Sequence, residues 1–276
     1  MPYSELKDYL DALVDRFERV DFIDADPIAV PHGFDDPRDR EVIGLYAAIL
    51  AWGRRQTILD KMAELCERMD YRPYRFVYDF AKSGDAGSLA GFKHRTFQPE
   101  DAYWLTHNLG LLLRRYGSVE QLFARHLGAG RSIHSAIEGF SNSLLTEDAA
   151  TPARLKKHLA RPSTGSACKR LNMYLRWMVR PGPVDFGAWS AIEPSELVLP
   201  LDVHSGRQAR ELGLVERRAD DWRAALELTE NCRRLDPDDP ARYDFAFFGA
   251  GVYGVSLDAR FTGANKLTSI DSPSDR

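Results

Sequence analysis

A turn that leads into a helix occupies the middle of the chain, where residues 162–177 read PSTGSACKRLNMYLRW. The proline, the glycine and the hydroxyl side chains of the first half favour a turn. The apolar residues that follow recur at helical spacing: Leu171, Tyr174, Leu175 and Met178. This spacing predicts a helix with one buried face, and it places Lys169 in the first turns of that helix.

Helical spacing of apolar residues continues on both sides of this segment. Two further sets fall on single helix faces: Ile58, Met62, Leu65, Cys66 and Met69, and Leu105, Leu109, Leu112, Leu113 and Tyr116. Gly117, Ser118 and Gln121 have the order expected where one helix ends and a capped helix begins. Because the alternation typical of strands is nearly absent, the sequence predicts an all-α fold.

Three segments are predicted to lie outside the helices. Residues 79–99 are rich in glycine, lysine and serine, which favours a loop. Residues 180–184 read RPGPV, and proline ends a helix because it lacks a backbone N–H group. The polar tail from Gly263 onward has too few apolar residues to pack, so we expect it to be mobile.

Composition argues against several classes of protein. The 276 residues are 44% hydrophobic and 28% charged, which is typical of a globular protein. The three cysteines form no C-x-x-C pair, which argues against an iron–sulfur cluster and against a disulfide framework. The N-terminal sequence lacks the apolar core of a signal peptide, and no run of about eighteen apolar residues occurs. We therefore expect a cytoplasmic protein with no membrane partner.

Positive charge is concentrated in residues 151–180, which contain no Asp or Glu although the net charge of the chain is -4. The basic residues of this run are Arg154, Lys156, Lys157, Arg161, Lys169, Arg170, Arg176 and Arg180. Such a run in an acidic protein predicts a confined phosphate-binding surface, and the turn at residues 163–166 adds backbone amides that can hold an anion. The alternative is an ordinary solvated helix face.

Two residues at predicted helix starts carry candidate chemistry. A helix N-terminus disfavours a cation, so we expect the pKa of the Lys169 amine to be lowered. A neutral amine is nucleophilic, as Schiff-base chemistry requires. Residues 200–213 read PLDVHSGRQARELG, which predicts a second helix with Asp202 at its N-cap and Gly213 after its end. The alternatives are that Lys169 only contacts a phosphate or solvent, and that Asp202 is only a cap.

The segments around these two residues resemble the helix-hairpin-helix DNA glycosylases. Residues 201–214, with Asp202, His204, Arg207 and a final Leu-Gly-Leu, are similar to the aspartate segment of that superfamily. Residues 167–176 resemble the lysine helix of its archaeal oxoguanine-glycosylase branch, which also has an aromatic-Leu-Arg step after the lysine. In both segments the position of the family's functional residue falls at a helix start.

The resemblance extends over most of the chain. Residues 45–54 are similar to an early helix that ends at the DNA cleft, and residues 243–249 to a late buried helix. The whole chain resembles a bacterial family of unknown function that is distantly related to these enzymes. The resemblance implies a two-lobed, glycosylase-like fold, with one lobe formed by residues 36–180 and the second by residues 1–35 and 181–276.

The resemblance also implies a helix-hairpin-helix element that is degenerate in this chain. Gly165 takes the first glycine position of the hairpin, whereas Ala167 occupies the second. The connection between Lys169 and Asp202 is longer than is typical, and residues 185–192 look inserted. These departures bear on how the hairpin anchors DNA and on whether the lysine and the aspartate meet.

The function that the resemblance implies is DNA base-excision repair by a glycosylase with abasic-site lyase activity. Lys169 is the implied catalytic lysine and forms a Schiff base, while Asp202 stabilises charge on the sugar. The residues implied to contact DNA are Trp52, Arg54, Arg55, Gly165, Ser166, Arg170, Arg176, His204 and Arg207. A core role for Trp52 and a structural role for His204 are the alternatives. The implied partner is damaged or abasic duplex DNA, bound by a monomer that needs no cofactor and no metal.

Two other functions compete with this interpretation. Residues 249–254 read GAGVYG and match the dinucleotide-binding fingerprint. Only 22 residues follow Gly254, however, which is too few for the rest of a dinucleotide-binding fold. The stronger alternative is a non-catalytic DNA-binding protein that retains the glycosylase scaffold.

Overall fold

The computed structural model describes residues 3–263, and within that range the chain is helical. Turns and short 3-10 helices join the α-helices. The α-helices of the described residues are α1 (Tyr3–Phe17), α2 (Ala29–His32), α3 (Pro37–Ile49), α4 (Arg55–Arg68), α5 (Pro73–Ser83), α6 (Pro99–Tyr116), α7 (Val119–Ala124), α8 (Ile133–Thr146), α9 (Lys169–Val179), α10 (Val203–Glu211), α11 (Trp222–Leu235) and α12 (Asp244–Val252). No β-strand occurs in this range, which confirms the prediction of an all-α fold.

Helix boundaries follow from local side-chain chemistry at several of the predicted positions. Helix α6 begins with Pro99 and ends at Gly117, whose φ of 89° only glycine adopts readily. Ser118 then caps α7, because its Oγ atom accepts the N–H of Gln121 at 3.1 Å. The helix end and the capped helix start predicted at this point are confirmed.

The predicted breaks are partly confirmed. Helix α9 ends at Val179, directly before the predicted breaker at residues 180–184. The predicted loop over residues 79–99 begins too early, because α5 continues to Ser83 and buries Val77 and Phe80 before it ends at Gly84. The buried face of α5 was overlooked because the residues after it are rich in amino acids that favour loops. The predicted mobile tail lies, beyond Gly263, outside the described residues.

Helix α9 is buried from Leu171 to Val179. Helix α3 packs against it, and the hydroxyl of Tyr174 donates a hydrogen bond to the carbonyl oxygen of Glu41 at 2.8 Å. Helix α12 packs against α1 and α10, and its first residue, Asp244, contacts Arg176 of α9. The division into two lobes at residues 36 and 180 stays a prediction. For the site, the consequence is that α9, α10 and α12 meet at one place.

The glycine-rich motif at residues 249–254 lies in α12 and in the turn that follows it. A dinucleotide-binding fingerprint requires a strand before the glycines, and the structure has none among residues 3–263. That alternative is therefore wrong. Between residues 3 and 263, no helix combines the length and the apolar character needed to cross a bilayer.

Candidate active site

Lys169 is the first residue of α9, and two residues in the left-handed region shape the turn before it. Gly165 has a φ of 82° and Cys168 a φ of 50°. The backbone N–H of Cys168 donates to Ser166 Oγ at 3.1 Å, which holds this rare conformation of a non-glycine residue. The helix begins at the next residue, so the predicted position of Lys169 is confirmed.

Asp202 is the N-cap of α10, as predicted. Its Oδ1 atom accepts the N–H groups of His204 at 2.8 Å and of Ser205 at 3.0 Å. These are two of the amides that a helix start leaves without an internal partner. The cap needs one of the two carboxylate oxygens, and Oδ2 points elsewhere.

The two helix starts converge. Lys169 Nζ lies 3.6 Å from Asp202 Oδ2, and the two side chains are 26% and 23% exposed. The amine also lies 3.4 Å from the sulfur of Met173, one turn further along α9. The long connection between the two helices does not separate the pair. An amine and a carboxylate therefore share one site that is open to solvent.

The ring of Phe248 forms an aromatic wall of this site. Lys169 Nζ lies 5.7 Å from the ring centroid, and the guanidinium carbon of Arg55 lies at the same distance of 5.7 Å. Phe248 is only partly buried and packs edge-on against Phe22. Sequence reasoning treated residues 243–249 as a buried helix and missed this role. The spacing from Asp244 to Phe248, one helical turn, was the available signal.

Two buried carboxyl groups lie on the inner side of the site, and the sequence did not point to either. Asp26 is 7% exposed and Asp244 is 5% exposed. Burial raises the pKa of Asp26, and the positive charges of Lys169, Arg176 and Arg55 oppose that effect. Burial also raises the pKa of Asp244, to about 6, against the opposing charge of Arg176. Lys169 therefore lies near three carboxyl groups, those of Asp26, Asp202 and Asp244.

Arg176 does not lie on a DNA-accessible surface, contrary to expectation. It is 4% exposed, hydrogen-bonds the carboxylate of Asp244, and lies 3.3 Å from Asp185 Oδ2. Arg180 shares Asp185, with Nη1 2.6 Å from the same oxygen. The segment that looked inserted thus supplies a carboxylate that two buried arginines share, in addition to their partners Asp244, Glu18 and Asp239. Arg176 has no exposed surface to offer to a phosphate.

The basic run at residues 151–180 is not one phosphate-binding surface. Arg154 is paired with Asp101 at 2.9 Å and with Glu100 at 3.2 Å. In the turn, the N–H of Ser163 is already bonded to the carboxylate of Glu138 at 3.0 Å, so that amide has no bond to give an anion. Lys156 and Lys157 remain exposed. The acids that balance the run are close in space although they are distant in sequence.

Trp52 is partly buried in a polar aromatic cluster at the end of α3. The ring of His158 stacks on it at 5.9 Å, and His94 meets it edge-on at 4.9 Å. The guanidinium of Arg170 lies over the same ring at 4.9 Å and donates to the carbonyl oxygen of Ile49. Burial lowers the pKa of both histidines. Three side chains, those of His94, His158 and Arg170, thus contact the Trp52 ring.

The remaining predicted DNA contacts lie at the surface. Gly165 and Arg54 are exposed, and Ser166 and Arg55 are partly exposed. The turn at Gly165 is tied to the start of α11, because the N–H of Trp222 donates to the Gly165 carbonyl at 3.2 Å. The element before this turn is a three-residue 3-10 helix, Pro162–Thr164, where a full hairpin would have an α-helix.

His204 and Arg207 are exposed on α10, next to the site. Helix α12 approaches so closely here that a Cβ built on Gly251 would lie 3.0 Å from the Cβ of His204. Cys168, the neighbour of Lys169, is buried, and burial raises the pKa of its thiol to about 12. The thiol is therefore a poor competing nucleophile. Within residues 3–263, no three His, Cys, Asp or Glu side chains are grouped so as to hold a metal ion.

Fold and site together define an all-helical protein in which a lysine and an aspartate, each at a helix start, share one open site. The chain belongs to the family described as "Protein of unknown function (DUF2400)", whose model matches residues 26–253. Comparison with curated proteins and with solved structures gives no match. The matched range contains Asp26, Lys169, Asp202 and Phe248. Membership of a family of unknown function is thereby confirmed, whereas its relation to the DNA glycosylases stays a prediction.

Proposed function

We propose that this protein is a DNA glycosylase with abasic-site lyase activity. The observation that carries the proposal is the distance of 3.6 Å between Lys169 Nζ and Asp202 Oδ2, in a site where both side chains reach solvent. The sequence resemblance to the lysine and aspartate segments of helix-hairpin-helix glycosylases supports the same roles. Under this proposal, the partner is duplex DNA from which one damaged base has been flipped.

The reaction begins at the anomeric carbon of the flipped nucleotide. Asp202 takes the proton of the Lys169 ammonium, and the neutral amine attacks C1′ as the bond from C1′ to the base breaks. The bonding electrons leave with the base, which takes up a proton. Asp202 gives the proton that it accepted to the departing base, and the restored carboxylate stabilises the positive charge left on the sugar and on the Lys169 nitrogen. Phe248 supplies an apolar wall against which the sugar or the base can pack.

The covalent intermediate then gives the lyase step. After the attack the Lys169 nitrogen carries two protons; it gives one to the ring oxygen O4′ as the bond from C1′ to O4′ breaks, and a protonated imine then joins Lys169 to C1′. Asp202 then accepts a proton from C2′, and β-elimination expels the 3′ phosphate, which cuts the strand. Hydrolysis of the imine releases the amine for another cycle.

The test is borohydride trapping on duplex DNA with one abasic site. Borohydride reduces the imine to a stable amine, so the wild-type protein should form a covalent adduct that migrates slowly in a denaturing gel. Lys169→Gln should form none, and Lys169→Arg, which keeps the charge but not the nucleophile, should form none either. Lys157→Gln is the matched control, because it removes an exposed lysine of the same basic run and should still be trapped.

Two outcomes would overturn the lyase assignment. One is an adduct that persists in Lys169→Gln, because a different amine would then be the nucleophile. The other is tight binding of abasic DNA by a folded wild-type protein that forms no adduct. That second result would favour the alternative of a non-catalytic protein that binds DNA through the same scaffold.

A further inference from the structure

Four cationic residues lie on the turn at Gly53 or on the segment that packs against it, and all four come from outside the basic run at residues 151–180. Arg54 and Arg95 are exposed, as is Lys93, and Arg55 is partly exposed. Among residues 3–263, none of these four side chains lies within 4.0 Å of a carboxylate, whereas the buried arginines of α9 are paired with several. We call these four residues the Gly53 surface. Unpaired cations gathered in one place produce a local positive potential that attracts anions.

Tertiary contacts build this surface. The hairpin from His94 to Phe97 lies against the end of α3, because His94 Nε2 is 3.0 Å from the carbonyl oxygen of Trp52. Two backbone hydrogen bonds of 2.9 Å close the hairpin between His94 and Phe97. Arg95 is carried across Gly53, so that a Cβ built on Gly53 would lie 2.7 Å from an Arg95 guanidinium nitrogen. Gly53 has a φ of 108° and leaves room for this side chain.

Arg95 adopts a backbone conformation that arginine rarely has. Its φ is 54°, in the left-handed region, where a Cβ clashes with the following carbonyl. Strain of this kind is retained when the surrounding structure enforces it, and such residues cluster at binding and catalytic sites. In this conformation the exposed guanidinium of Arg95 lies against Gly53, the residue between Trp52 and Arg54.

The Gly53 surface adjoins the candidate active site through two contacts. Arg55 lies over the ring of Phe248, whose other neighbour is Lys169. Arg170, the residue after Lys169, lies over Trp52. Through these contacts the Gly53 surface is joined to the start of α9, where Lys169 lies.

We propose that Arg95 binds a phosphodiester of the DNA strand that enters the active site, and that Gly53 is a glycine because the Arg95 side chain crosses it. The inference rests on the proposed function for the identity of the partner. The planar guanidinium offers a forked pair of donors to phosphate oxygens. Arg95 is an anchoring residue in this scheme and takes no part in the bond-breaking steps.

The test measures the affinity for DNA at several NaCl concentrations, using a duplex that contains a tetrahydrofuran abasic analogue. All proteins carry Lys169→Gln, so that binding is not complicated by reaction. The variant is Arg95→Gly, because glycine adopts a φ of 54° without strain and the folded protein should be no less stable. Arg234→Ala is the matched control, since Arg234 is an exposed arginine at the end of α11.

We expect Arg95→Gly to weaken binding roughly tenfold at moderate salt while its melting temperature does not fall. The slope of log K against log[NaCl] should become less steep by about one, the value for a single lost phosphate contact. Arg95→Lys should keep the slope and lose part of the affinity. Arg234→Ala should change neither quantity.

The outcomes separate the two proposals. If Arg95→Gly binds with the same slope and affinity as Arg234→Ala while the wild-type protein is still trapped on abasic DNA, the inference on Arg95 is wrong and the lyase assignment stands. If Arg95→Gly reduces the slope but no adduct forms, only the lyase assignment is wrong. A folded protein that binds no DNA at low salt overturns both.

Discussion

Helix α9 carries cations at both ends, and the protein surrounds them differently. At its C-terminal end, Arg176 and Arg180 are 4% and 3% exposed and share the carboxylate of Asp185. At its N-terminal end, the side chain of Lys169 is 26% exposed, and the nearest oxygen of Asp202 lies 3.6 Å away. One end is a closed network of charges, and the other is an open pair.

The difference separates a structural role from a chemical one. A buried charge must be neutralised by a partner, and removal of that partner leaves a large desolvation penalty. An exposed pair makes no such demand, because water solvates each partner alone and the pair contributes little to stability. We therefore expect changes at the C-terminal end of α9 to affect folding, and changes at the N-terminal end to affect reaction.

The largest effect should come from Asp185→Asn. This change removes the carboxylate that Arg176 and Arg180 share, but Arg176 keeps Asp244, and Arg180 keeps Glu18 and Asp239. The free energy of unfolding should therefore fall by about 3 kcal/mol, the low end of the range for a broken buried ion pair. Urea denaturation measures the loss. Asp202→Asn is the matched substitution at the open end and should leave stability nearly unchanged. Equal losses in the two variants would contradict the comparison.

A smaller effect on stability should appear at Asp244, which hydrogen-bonds Arg176 near the C-terminal end of α9 and is also close to Lys169 at its N-terminal end. Burial raises the pKa of this carboxyl from its ordinary value of 3.8 to about 6. Between these pH values the folded chain holds a proton that the unfolded chain has lost, so this group's contribution to stability falls as pH rises through that window. The stability advantage of wild type over Asp244→Asn should shrink by about 2 kcal/mol between pH 4 and pH 7.

The measurement for Asp244 is urea denaturation of both proteins at each pH. Only the difference between wild type and variant is informative, because other carboxyl groups titrate in the same range. A difference that stays constant with pH would mean that Asp244 is ionised throughout, as a fully compensated partner of Arg176.

The smallest effect on stability should be at Asp202. Two substitutions there separate its role as the N-cap of α10 from its role as a negative charge beside Lys169. Asp202→Ala removes the cap of α10 and should cost about 1 kcal/mol, whereas asparagine caps a helix about as well as aspartate does. Both variants should lose borohydride trapping, because neither retains a carboxylate beside Lys169. If Asp202→Asn is trapped as well as wild type, the carboxylate is only a cap.

Much of the fold could be predicted because its signals are local. Apolar spacing, the glycine and serine at residues 117–118, and the aspartate before α10 each act over one or two helical turns. The starts of α9 and α10 were predicted correctly for the same reason. The end of α5 was predicted incorrectly, because the loop-favouring residues that follow it were given more weight than the apolar spacing of its last turn.

The candidate site could be predicted only in part. Lys169 and Asp202 were found because each begins a helix, but their convergence depends on how α9 and α10 pack. The burial of Arg176 was missed because its partners, Asp185 and Asp244, lie outside the basic run. Phe248 and Arg95 were missed since their positions depend on contacts between distant segments, which the spacing of residues along one helix does not encode.

The two oxygens of Asp202 also have a consequence for how the site can change in evolution. Oδ1 holds the start of α10, while Oδ2 faces the amine. A mutation to asparagine or serine would keep the helix start intact while removing the carboxylate. Homologues with those residues at this position would be as well folded as this chain, yet they would lack the proposed chemistry. If the proposed function holds, the amino acid at this position would indicate which members of the family can carry out the reaction.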